Sequence, residues 1–95
     1  MKAMEKLVAF YESKKGKVHG SWHKTLGNHS VKIYPGGSAD FIYHWTAICK
    51  VDAEGNVVIR TGGWNTVSTN RACSSYAYEF SSRGYNVEDT RPMKR

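Results

Sequence analysis

The first apolar residues of the chain, Met4, Leu7, Val8 and Tyr11, stand at i, i+3, i+4 and i+7, one face of a helix. Glu5, Lys6, Glu12 and Lys15 lie off that face. Lys14 and Lys15 suit the negative end of the helix dipole and Gly16 stops the pattern, so a helix is predicted over about residues 2–15. The periodicity then lapses in "KVHGSWHKTLGNH", where Gly20, Gly27 and Asn28 interrupt the chain. Trp22 and Leu26 are too large to leave in water, so this segment is expected to fold back irregularly over the core.

Val31 and Ile33 mark a strand, and Pro35-Gly36-Gly37-Ser38 a turn. In "DFIYHWTAICKV", the residues Phe41, Tyr43, Trp45, Ala47, Cys49 and Val51 alternate with Ile42, His44, Thr46, Ile48 and Lys50. Both sets hold apolar residues, which reads as one long central strand with the first set toward the core. Asp52 to Asn56 reads as a hairpin loop with Gly55 in the left-handed conformation, and Val57 to Arg60 as the returning strand. Ala72, Cys73, Tyr76, Ala77 and Phe80 recur at helical spacing before Gly84, a terminator, and Tyr85 to Val87 can form a short final strand. The expected fold is α+β: a three-stranded antiparallel sheet packed against an N-terminal and a C-terminal helix, α-β-β-β-α. Residues 1–88 are expected to form a single domain, and 89–95 a flexible basic tail.

At 95 residues the chain supports one core, and nearly every large apolar side chain is needed in it. No apolar run approaches the length of about eighteen residues that reads as a membrane span. The start, "MKAMEKLVAFYESKK", sets Lys and Glu inside its apolar stretch, unlike a secretory leader, so the cytoplasm is the expected location. Cys49 and Cys73 form no C-x-x-C pair and read as small buried hydrophobes. The net charge of +6 favours acidic partners, nucleic acid among them.

The stretch "TGGWNTVSTNR", Thr61 to Arg71, admits two readings. As a structural corner, Gly62 and Gly63 turn the chain sharply, Asn65 closes an Asx turn, Thr66, Ser68 or Thr69 caps the last helix, and a buried Trp64 pins the whole. As an anion site, the same backbone amides with Thr66, Thr69 and Arg71 hold a phosphate, although neither a P-loop nor a G-x-G-x-x-G motif occurs. The structural corner is the preferred reading.

"LGNHSVKI", "YHWTAI" and "GGWNTVSTNR" together form an ordered set over about residues 25 to 75. This set resembles a group of small bacteriophage-encoded proteins of unknown function. The resemblance implies a phage-like origin and a compact module, and it implies no activity. The predicted helix–three-strand–helix order is also similar to the topology of double-stranded-RNA-binding domains, where a basic helix end meets phosphates.

Candidate chemistry is sparse. His19 and His23 are spaced as some zinc ligands are, but lack flanking cysteines or carboxylates, and Gly20 argues against a helix fixing them, so no metal is expected. His44 could act as a base, and Cys73, Ser74 or Thr66 as nucleophiles, yet no spacing ties Asp40 or Asp52 to His44. No catalytic residues and no cofactor are therefore expected. The three Trp, six Tyr and three Phe exceed what so small a core can hold, and the surplus favours partner binding. Trp22 and Tyr34 with Lys14, Lys15 and Lys17 form the candidate contact patch. The expectation is a non-enzymatic protein that binds a host or phage protein, with nucleic acid as the alternative partner and no membrane role.

Overall fold

In the computed structural model, which describes residues 2–16, 20–64 and 66–91, the first helix forms where its spacing predicts. Helix α1 (Ala3–Lys14) buries Leu7, Val8 and Tyr11. The Glu5 carboxylate accepts from the Lys2 amide at 2.8 Å, satisfying an N–H group that the helix leaves free.

The sheet has six strands rather than three. Strands β1 (Trp22–Leu26), β2 (His29–Ile33), β3 (Ala39–Tyr43), β4 (Thr46–Val51) and β5 (Asn56–Ile59) form an antiparallel meander, and β6 (Asn86–Asp89) adds to β5 in parallel. The α+β class stands; the three-stranded sheet does not, and with it goes the order of a double-stranded-RNA-binding domain. One source of the difference is β1, which was expected to be irregular. It alternates cleanly, with Trp22, Lys24 and Leu26 half-buried and His23 and Thr25 exposed.

The second source is the run read as one central strand, which is a hairpin. Tyr43 pairs with Thr46 across His44 and Trp45, whose φ angles are 48° and 72°. Two central residues at positive φ match the right-handed twist of the flanking strands, as a type I′ turn does. The partnering then shifts: Ile42 faces Ala47 but Phe41 faces Cys49, so Ile48 is an extra residue in a β-bulge. Ile48 and Cys49 are both buried as a result.

A parallel pair needs a crossover, and helix α2 (Val67–Ser82) supplies it between β5 and β6. Thr66 caps α2, its hydroxyl accepting from the Thr69 amide at 3.2 Å. At the other end the Tyr85 amide donates to the Phe80 carbonyl, and that of Gly84, at φ +86°, to the Ser81 carbonyl. This pair of bonds is a Schellman motif, and the Phe80 and Tyr85 rings close it 4.9 Å apart.

Both helices cover one face of the sheet. Phe41 sits there among Tyr11, Tyr76 and Phe80, with ring centroids 5.9, 5.0 and 5.4 Å away. The opposite face carries a register row of His23, Lys32, Asp40, Lys50, Val58 and Glu88. The chain stays attached beyond the expected domain boundary at residue 88. Arg91 pairs with Asp89 and donates to the Asn70 carbonyl and the Ser74 hydroxyl, each at 3.0 Å. Lys17, His19, Asn65 and the remainder of the expected tail, 92–95, lie outside the described residues.

Candidate functional site

A meander brings alternate turns to the same end of its sheet. Here Gly27-Asn28, His44-Trp45 and Gly62-Gly63 gather at one end with the N-terminus of α2, and the His44 amide donates to the Asn28 carbonyl at 3.2 Å. The Trp64 amide donates to the Thr61 carbonyl across Gly62 and Gly63, at φ 65° and 92°. Two turns with positive-φ centres therefore lie side by side, and they touch where Gly62 meets Thr46. A Cβ at residue 62 would stand 2.3 Å from the Thr46 methyl.

Each of these two turns delivers a tryptophan to solvent. Trp45 is 98% exposed and Trp64 61%. With Tyr43, His44, Thr46, Thr66, Ser68 and Thr69 they line a largely apolar cleft of about 360 Å³. This corrects the expected role of Trp64, which does not pin the corner as a buried peg. What fixes the corner is the close approach of Gly62 to Thr46 and the Thr66–Thr69 cap.

Trp45 is the residue that sequence reasoning missed. A bulky non-glycine side chain at positive φ costs on the order of 1–2 kcal/mol, and two in succession are rare. His44 and Trp45 occupy positions where Asn and Gly serve best. Replacing both, as His44→Asn with Trp45→Gly, is expected to raise stability by about 1–2 kcal/mol, read as a higher urea midpoint at unchanged slope. No gain would show that the turn carries no backbone strain.

The proposed anion site is only partly assembled. Thr66 and Thr69 reach the cleft, but their hydroxyls are engaged with each other at 2.9 Å and Thr69 is buried. Arg71 lies on the other side of Thr66, lining a groove with Lys2, Asn70, Ser74 and Ser75. Of the candidate patch, Trp22 and Lys14 come together, and Tyr34 is separated from them. Trp22 packs against the core beneath the Lys14 ammonium, 4.6 Å from its ring. Lys15 lies 4.7 Å over Tyr85. Tyr34 donates to Asp40, on the sheet face opposite Phe41, at 2.8 Å.

The other groups weighed for chemistry are tied into the fold. Cys49 and Cys73 are unpaired and buried, and burial pushes both thiols up. Asp40 pairs with Lys50, and Asp52 accepts from the Asn56 amide at 2.8 Å, which holds its carboxyl below the usual range. Among the described residues no three His, Cys, Asp or Glu side chains are placed to hold a metal ion, and no helix is long and apolar enough to cross a membrane.

A second cleft, of about 400 Å³, opens on the other side of the His44-Trp45 turn and is lined by His23, Thr25, His29 and Ile42 among others. His29 stacks on Tyr43 at 4.7 Å, and His44 meets the same ring edge-on at 4.3 Å. Burial holds the His29 pKa below its ordinary 6.5, and His44 pushes it the same way. The unfolded chain therefore takes up this proton first. The contribution of His29 to stability is complete above about pH 6.5 and is lost as the pH falls toward its lower folded value. His29→Phe keeps a ring on Tyr43 and removes the proton, so its urea midpoint should fall less between pH 7 and 5 than that of the wild type. Parallel profiles would refute the assignment.

Comparison with protein-family models, with curated proteins and with solved structures finds no match for this chain.

Proposed function

We propose that this chain is a small, non-enzymatic, phage-type binding protein that docks a host or phage protein in the host cytoplasm through the Trp45–Trp64 cleft. The observation that carries the reading is Trp45, 98% exposed on a turn whose backbone disfavours it. Local strain of this kind is retained where a side chain must be presented. Exposed indoles gain most from desolvation in a partner's pocket, and tryptophan is enriched among residues that dominate binding energy. The phage origin and the cytoplasmic setting rest on the resemblance of the "LGN", "YHWT" and "GGWNT" segments. The non-enzymatic reading is supported by the burial of both thiols and by the engagement of Asp40 and Asp52 away from His44.

The test is affinity capture from bacterial lysate with the wild type and with Trp45→Ala/Trp64→Ala. Both indoles are exposed, so each substitution should cost less than about 1 kcal/mol of stability. A protein held by the wild type and released by the double variant, at unchanged far-UV circular dichroism, is the expected result. Capture that is indifferent to both substitutions removes the cleft from the function.

A further inference from the structure

Resting on that docking role, we infer that the segment received by the cleft is acidic: a peptide bearing Asp or Glu around one apolar anchor side chain. Charge complementarity favours such a segment. None of the eight carboxylates of the chain lines the tryptophan cleft, the imidazole cleft across the turn, or the neighbouring groove of Lys2 and Arg71. Glu5 accepts from the Lys2 amide and, with Glu79, lines the adjoining groove on the far side of Ser74 and Ser75 from the tryptophans. Glu12 and Glu79 meet Arg83, Asp40 meets Lys50, Asp89 meets Arg91, and Asp52 closes its own loop.

What does surround the cleft is cationic or donating. His44 forms part of its wall, and Arg71 and Lys2 line the groove beyond Thr66. Helix α2 begins there with no acidic residue in its first turn, so no carboxylate of its own opposes the positive end of its dipole. An apolar side chain between the indoles and a carboxylate beside it would use both properties at once. A nucleic acid fits less well, because it needs a track of several phosphate-neutralising cations. Five of the described lysines are committed to different surroundings. Lys14 and Lys24 lie over Phe10, Lys15 over Tyr85, Lys32 over Tyr34, and Lys50 on Asp40.

The experiment is selection of random twelve-residue peptides on the immobilised full chain. Recovered peptides are then titrated by tryptophan fluorescence against wild type, Trp45→Ala, Trp64→Ala and Arg71→Glu, with a twelve-nucleotide oligothymidine alongside. We expect peptides enriched in Asp and Glu next to one aromatic or aliphatic residue. Either tryptophan substitution should weaken them at least tenfold, on the order of a strong interface residue. Arg71→Glu should weaken them roughly three- to tenfold, and less so at high salt. Peptides that depend on the tryptophans but are neutral or basic overturn the acidic assignment and leave the docking role standing. Recovery of no tryptophan-dependent peptide overturns both. Oligothymidine that quenches the indoles when no peptide does overturns both and makes the site a nucleic-acid site.

Discussion

Phe41→Ala is expected to cost about 3–5 kcal/mol, the largest loss of any single truncation considered for this fold. Phe41 is fully buried at the centre of the helix-covered face, touching Tyr11 from α1 and both Tyr76 and Phe80 from α2. Its ring therefore joins three elements, and its removal leaves a cavity bordered by large rings that cannot collapse without unseating a helix. For a domain of this size, with total stability on the order of 5–15 kcal/mol, the midpoint of thermal unfolding should fall by roughly 15–30 °C. Urea titration gives the direct reading, as a lower midpoint at unchanged slope. A loss below about 1 kcal/mol would mean that the aromatic cluster is not the centre of the core.

Gly62→Ala comes next, at about 2–4 kcal/mol, from two separable causes. At φ +65° an alanine is strained whatever its surroundings, and its Cβ would also lie 2.3 Å from the Thr46 methyl. Gly63→Ala isolates the first cause. Residue 63 also has positive φ, at +92°, but nothing lies within 4 Å of a Cβ there, so its cost should stay near 1–2 kcal/mol. Thr46→Ser removes the methyl and should recover the steric share of the Gly62→Ala loss in the double variant. Equal losses at residues 62 and 63, measured by urea unfolding, would show that the two turns do not press on one another.

Much of the framework was legible in the sequence because it obeys simple periods. The i, i+3, i+4 spacing placed both helices, Gly55 its hairpin loop, and Gly84 the end of α2. The misreading of residues 40–51 has a definite cause. Tyr43 and Thr46 pair, so they share a face, and the inward positions pass from odd to even numbers across the turn. The extra residue Ile48 then returns them to odd numbers at Cys49 and Val51. Two irregularities cancel, and the pattern reads as a single alternating strand. Nothing else marked the break, since His44-Trp45 contains none of the usual turn formers. The length of the run was the one available signal, being about twice that of an ordinary strand.

The candidate site was half legible for the same reason. The paired glycines and the Thr66 cap were recognisable from residue type, because a corner and a cap each need particular chemistry. The direction in which Trp64 points was not, because a large ring after a tight turn has no period to assign it inward or outward. The link between Trp45 and Trp64 depends on two turns eighteen positions apart meeting at Gly62 and Thr46, and no local rule reaches that far.

The strand order has a consequence for how the chain assembles. Each strand from β2 to β5 bonds to the one just before it, so these closures are short and entropically cheap. The sixth must wait until a sixteen-residue helix has been laid across the sheet. During synthesis the partly built sheet therefore leaves β5 as a bare margin, open to pairing with a foreign strand, until Val87 settles beside Val57.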